Sequence, residues 1–115
     1  MSNYKKSKPE TQRIAESTKI LDKYPDRVPI IVEKGFKSKI KDIDKNKFLV
    51  PGDMSFGQFM YVIRKRIKLN STEALFVFVN NILCNNTLNI KEIYNTYKDK
   101  DGFLYITYAS ENTFG

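Results

Sequence analysis

Histidine is absent from this sequence and Cys84 is its single thiol. Losing the imidazole removes the commonest general base and metal ligand, so a zinc site, a Cys–His pair and a Ser–His–Asp triad are all out of reach. No glycine-rich phosphate loop and no convincingly spaced pair of carboxylates replaces them. No catalytic residue, metal ligand or cofactor is therefore expected, and the chain does not read as an enzyme. One reactive group remains, the carboxylate of Gly115 at the end of 111-ENTFG-115. Glycine has no Cβ to obstruct an approach to its acyl carbon. Chain ends are ordinarily loose and their last residue arbitrary, so Gly115 by itself implies nothing.

A second kind of chemistry is legible in 47-KFLVP-51. A short apolar strand next to a proline is suited to the edge of a sheet, where unpaired N–H and C=O groups remain available. An extended peptide adds to such an edge, with main-chain bonds giving affinity and side-chain pockets giving choice.

The elements that would position these groups follow from pattern. Ser7-Lys8-Pro9-Glu10 reads as a capping box with proline in the first helical turn. The helix it opens is expected to turn Ile14, Thr18 and Leu21 inward and to end before Tyr24-Pro25. The β-branched stretch 28-VPIIV-32 reads as a strand, 33–47 as a charged connection, and 48-FLV-50 as a short strand stopped by Pro51-Gly52. Ser55 and Gln58 form a second capping box. Phe56, Phe59, Ile63 and Ile67 follow at helical spacing, flanked by Met60 and Val62. The continuously apolar 75-LFVFV-79 predicts a strand covered on both faces, and Asn80-Asn81 turns the chain after it. Asn89 caps a short helix with Ile90, Ile93, Tyr94 and Tyr97 inward, and Asp101-Gly102 turns into a last strand over 103–108. From about residue 27 the order is strand, strand, helix, strand, short helix, strand. That order describes an α+β fold, the ubiquitin-like β-grasp, preceded by a basic helical segment over residues 1–24. Residues 25–115 would form the β-grasp, the two parts making one compact domain whose final strand is central and delivers the C-terminus outward.

Bulk properties agree with a single globular domain. Residues 1–70 carry 17 Lys and Arg against 8 Asp and Glu, whereas residues 71–115 carry 3 against 5. An acidic partner or anionic surface is therefore expected on the first half. Basicity without a recognition motif does not argue for a specific nucleic acid. The start, 1-MSNYKKSKPE-10, has no apolar stretch resembling a signal peptide. A single cysteine permits no intrachain disulfide, which suits a reducing compartment.

The segments 23-KYPDRVPIIVEK-34, 47-KFLVPGDMSFGQFMYVIRKRI-67, 75-LFVFVNN-81 and 103-FLYITYASENTFG-115 resemble the ubiquitin-like modifiers of autophagy. That family includes the GABA-receptor-associated protein and microtubule-associated protein light chain 3, and the likeness is greatest to the GABA-receptor-associated branch. The resemblance implies a β-grasp with two additional N-terminal helices. It also implies conjugation of Gly115 to phosphatidylethanolamine by E1-like and E2-like enzymes, with a cysteine protease that processes precursors and removes the lipid. The protein would be cytoplasmic when free and on an autophagosomal membrane when lipidated.

A further implication is docking of aromatic-x-x-aliphatic motifs. The resemblance assigns Glu16, Ile20, Pro29, Ile31, Lys47, Leu49 and Phe103 to an aromatic pocket. It assigns Phe48, Val50, Pro51, Met54, Phe59 and Val62 to an aliphatic one. Arg27, Lys45, Lys47 and Arg66 are placed to meet the acidic flank of a partner, and Phe76 and Phe78 correspond to a possible second docking face. Read without the family, Phe59 and Val62 are core residues of a helix, and Arg27, Lys45 and Arg66 are solvated charges. At least one of Phe76 and Phe78 is core. Cys84, in 80-NNILCNN-86, reads as an ordinary loop or partly buried cysteine. Two other uses stay open: the same conjugation on a different membrane, such as a protist plastid, and a cytoskeletal or trafficking adaptor whose basic start lies on acidic tubulin tails.

Overall fold

The computed structural model describes residues 2–35 and 38–110; Gly115, with the rest of 111–115, lies outside the described residues. Two helices come first, α1 (Asn3–Ser7) and α2 (Glu10–Lys23). Strands β1 (Arg27–Lys34) and β2 (Lys47–Pro51) precede α3 (Phe56–Arg66). After them come β3 (Phe76–Val79), β4 (Ile82–Leu83), α4 (Ile90–Tyr97) and β5 (Leu104–Ala109). The sheet order is β2-β1-β5-β3-β4. Strand β1 runs parallel to β5 and antiparallel to β2, and β3 is antiparallel to both β5 and β4. This is the ubiquitin-like α+β fold, with the last strand at its centre.

The main core lies between the sheet and α3. Phe56, Phe59 and Ile63 of α3 are buried against Val28, Ile30, Val77, Leu104 and Ile106. Ser55 caps α3 by accepting from the Gln58 N–H at 3.1 Å, and Gln58 Oε1 accepts from the Ser55 N–H at 2.9 Å. Asn89 and Glu92 make the same reciprocal box on α4. The caps of α3 and α4 lie side by side, joined by a bridge between Ser55 and Asn89.

Three expectations are corrected. The box at Ser7–Glu10 does not form: Pro9 is the N-cap of α2 with no side-chain bond, and Ser7 donates its hydroxyl to the Tyr4 carbonyl at 2.9 Å. Helix α2 is rotated relative to its apolar pattern. It buries Arg13 and Ser17, while Ile14 stays 40% exposed. The reason is Asp101, whose buried carboxylate draws the Arg13 guanidinium to 2.9 Å and whose carbonyl takes the Ser17 hydroxyl at 2.5 Å. The connection 33–47 is not wholly outside the fold, since β1 continues to Lys34 and Ile40 is buried in the core. Strand β3 is an interior strand with Val77, Phe78 and Val79 all buried, so both of its faces are covered as its apolar run predicts. It lies beside the two-residue edge strand β4, reached through Asn80 and Asn81, both at positive φ.

Candidate docking edge

Among the described residues, strand β2 forms one border of the sheet and pairs only with β1. Register sets Leu49 opposite Pro29 and Lys47 opposite Ile31. Hydrogen-bonded and non-bonded pairs alternate along an antiparallel ladder. The Val32 N–H donates to the Asn46 carbonyl at 2.7 Å, which makes the Lys47 and Leu49 positions non-bonded, and Pro29 has no N–H to offer Leu49 in any case. The main-chain groups of Lys47 and Leu49 consequently point away from β1 into the open side. Their side chains are half-buried on one face, and Phe48 and Val50 are buried on the other.

On the face carrying Lys47 and Leu49, Ile31 and Phe103 are fully buried in a small cluster joined by Tyr4, with Ile20 and Tyr105 packed against it. Pro29 is buried beside them. The Tyr4 ring stands edge-on to Phe103 at 5.5 Å between centroids. Glu16 closes this corner, accepting from the Tyr4 hydroxyl and from Lys47 Nζ, with Lys8 Nζ 3.6 Å away. Burial raises the Glu16 pKa, but the hydrogen bonds from Lys47 and Tyr4 and the charges of Lys47 and Lys8 outweigh it. The carboxyl is held below its usual range. The Tyr4 phenol moves upward, because burial and its bond to the Glu16 carboxylate both disfavour the phenolate.

On the opposite face Phe48 stands edge-on to Phe59 at 5.6 Å. A shallow groove beside them is lined by Pro51, Met54 and Val62, together with Asp53, Gly57, Gln58 and Tyr61. Phe59 is 0% exposed and packs in the core beside Phe48. Val62 and Met54 remain half-buried at the surface.

The cations differ in their freedom. Arg27 is exposed at the start of β1, opposite Pro51. Lys45 lies with its ammonium 5.4 Å from the Phe48 ring centroid. Lys47 is already bonded to Glu16, and Arg66 pairs with Asp44 at 3.3 Å. On the far side of the sheet Phe76 is half-buried, whereas Phe78 is 1% exposed and behaves as core. Ile82 and Leu83 of β4 are exposed next to them. Cys84 is half-buried, and burial pushes its thiol pKa up. Pattern reading missed Tyr4, a lone aromatic in a polar stretch, and the Arg13–Asp101 pair, a charge 88 residues distant from its partner. The isolation of Tyr4 among Ser, Asn and Lys was the available signal.

No helix of the described residues is long and apolar enough to cross a membrane. Residues 12–115 match a model of the family described as autophagy protein Atg8, ubiquitin-like. The chain is 54% identical over 114 residues to autophagy-related protein 8a of Arabidopsis thaliana, covering 99% of this chain and 93% of that protein. Identity to autophagy-related protein 8 of Kluyveromyces lactis is also 54% over 114 residues, with 99% and 92% covered. Among solved structures it is similar to Trypanosoma brucei ATG8, with a TM-score of 0.91, 44% identity and coverage of 100% and 99%. It is also similar to Plasmodium falciparum Atg8 in complex with a Plasmodium falciparum Atg3 peptide, with a TM-score of 0.88, 36% identity and coverage of 96% and 98%.

Proposed function

This chain belongs to the Atg8 family of ubiquitin-like autophagy proteins, and from that premise we propose that it is a modifier joined through Gly115 to phosphatidylethanolamine and read by short motifs at the β2 edge. In the conjugation, an E1-like enzyme spends ATP to activate the Gly115 carboxylate and passes the acyl group as a thioester to an E2-like enzyme. The lipid amine attacks the acyl carbon, a C–N bond forms, the C–S bond breaks, and the thiol leaves. The Atg3 peptide bound to the Plasmodium relative supports a conjugating enzyme among the partners. Membrane attachment has to be covalent. Each Lys or Arg near an anionic surface contributes only about 1 kcal/mol and is screened by salt. A two-chain lipid contributes about 0.8 kcal/mol for every buried CH₂.

The observation that carries the docking half is the open strand β2, with Lys47 and Leu49 main-chain groups aimed outward between two apolar surfaces. An acidic aromatic-x-x-aliphatic peptide adds there as a strand, with binding of about −8 kcal/mol, or micromolar. Ordering of the short peptide limits it to that range.

Conjugation is tested by incubating the chain with matching E1-like and E2-like enzymes, ATP and phosphatidylethanolamine liposomes, followed by flotation and intact mass. Wild type is expected to gain one lipid mass and to float; deletion of Gly115 is expected to do neither. If the deletion acquires lipid as readily as wild type, Gly115 is not the conjugation site.

A further inference from the structure

Tyr4 is the single buried residue of α1, and it is buried against residues assigned to the aromatic side of the docking edge. We propose that Tyr4 is a ligand this chain supplies to its own docking edge, which a partner peptide must displace before its aromatic side chain can enter. The inference rests on the docking reading above and adds its regulation.

Tyr4 is 5% exposed although Ser2, Asn3, Lys5, Lys6, Ser7 and Lys8 surround it in sequence. Its ring shares a cluster with Ile31 and Phe103, and its hydroxyl bonds Glu16, which also holds Lys47. The Lys47 and Lys8 ammonium groups each lie 5.2 Å from the ring centroid, a geometry that favours an aromatic at this position. An incoming aromatic seeking Ile31, Phe103 and Lys47 meets a ring already in contact with all three.

The occupant is held weakly enough to leave. A five-residue helix has no stability of its own, so the docked state depends on Tyr4 and a few tethers. Ser2 caps α1 by accepting from the Lys5 N–H at 3.2 Å. Lys5 Nζ pairs with Asp99 at 2.5 Å and lies 4.7 Å from the Tyr105 ring centroid. The Tyr4 N–H donates to Glu33 at 2.9 Å. Tyr4 is not part of the main core around α3, so its departure leaves the β-grasp packed.

A peptide that binds only the open state has its apparent affinity reduced by the fraction open; with about one molecule in ten open, removing the occupant tightens binding about 10-fold. The test is calorimetric titration of an acidic aromatic-x-x-aliphatic peptide, at fixed ionic strength, into wild type, Tyr4→Ala and Asp99→Asn. Amide exchange of residues 3–7 and of β2 is measured with and without peptide. Tyr4→Ala is expected to bind about 10-fold tighter and Asp99→Asn, which loosens the Lys5 tether while keeping the main-chain bond from the residue-99 N–H to the Phe103 carbonyl, about 2–3-fold tighter. Residues 3–7 are expected to lose protection when peptide binds while β2 gains it. If β2 gains protection but Tyr4→Ala binds equally or more weakly, or residues 3–7 stay protected in the complex, Tyr4 is part of the wall and self-occupancy is wrong. If β2 gains no protection in any variant, the docking reading itself fails, and the inference falls with it.

Discussion

Asp101 is the most constrained charge among the described residues. Its carboxylate accepts from Arg13 at 2.9 Å, the Tyr105 hydroxyl at 2.6 Å and the Phe103 N–H at 2.9 Å, and it is 1% exposed. Removing one member of a buried ion pair leaves the other charge without compensation. Asp101→Ala is therefore expected to destabilise the protein by about 3–5 kcal/mol in denaturant titration, and Arg13→Ala by a similar amount. Leu49 presents the opposite case. It is half-buried and leaves no large cavity, so Leu49→Ala is expected to keep stability within about 1 kcal/mol of wild type. On the docking proposal the same change weakens peptide binding through lost apolar contact, and Lys47→Glu weakens it through charge. Equal affinity for both variants and wild type in calorimetry would remove the aromatic side of the proposed edge.

Helix α3 shows what an element gains from its ends as well as its face. Phe59 is at 0% exposure with Phe48 edge-on to it, so Phe59→Ala is expected to cost about 3–5 kcal/mol. Ser55→Ala removes the hydroxyl that accepts from the Gln58 N–H, while the main-chain N–H that donates to Gln58 Oε1 is retained, and is expected to cost about 1 kcal/mol. The other end is less well matched to its sequence. The Leu69 N–H donates to the Arg64 carbonyl and the Lys68 N–H to that of Lys65, each at 3.2 Å, with Lys68 at a φ of 58°. This is a Schellman ending that carries lysine where glycine is preferred. Lys68→Gly is expected to raise the midpoint of unfolding, stabilising by roughly 0.5–1 kcal/mol, because glycine reaches positive φ without a Cβ clash. A lower midpoint would mean that the lysine side chain contributes more than its backbone strain costs.

At the scale of the molecule, titratable groups join the N-terminal helices to the β-grasp. Burial raises the carboxyl pKa values of Glu16 and Asp99, but the bonds and charges of Lys47, Tyr4 and Lys5 lower them further, below their ordinary 4.5 and 3.8. Groups depressed in the folded state stabilise it fully above their unfolded pKa and lose that contribution as the pH falls through the folded value. Acidification below about pH 4 is therefore expected to release α1 and α2 before the sheet, with amide exchange rising first over residues 3–23. The tyrosines act in the other direction. Burial and, for Tyr4 and Tyr105, nearby carboxylates raise the phenol pKa values, and Tyr108 is pushed up to about 12 mainly by burial. Their contribution is complete below the ordinary tyrosine pKa and fades as the pH rises through the folded values. Ultraviolet titration is expected to show the ionisation of Tyr4, Tyr105 and Tyr108 delayed beyond pH 10 and coupled to unfolding.

The sequence determined the elements whose causes are local. Helix α3 repeats its apolar residues at helical spacing behind Ser55 and Gln58. Asn89 announces α4 in the same way, and Asn80-Asn81 supplies the positive φ of a tight turn. The order of those elements was enough for the β-grasp, and long motifs such as 47-KFLVPGDMSFGQF-59 were enough for the family. Strand β4 escaped because two residues carry no period. The rotation of α2 escaped because Ile14, Thr18 and Leu21 form an ordinary apolar stripe, while the partner of Arg13 and Ser17 lies more than 80 residues away. Tertiary packing alone decided which apolar residues face solvent. It buried Phe59 in the core, left Val62 at the surface of the groove, set Arg66 on Asp44 and brought Tyr4 onto Phe103. A residue's type fixes what it gains from burial, but the chain segment that covers it is chosen by the whole fold, and that choice separates core from docking surface here.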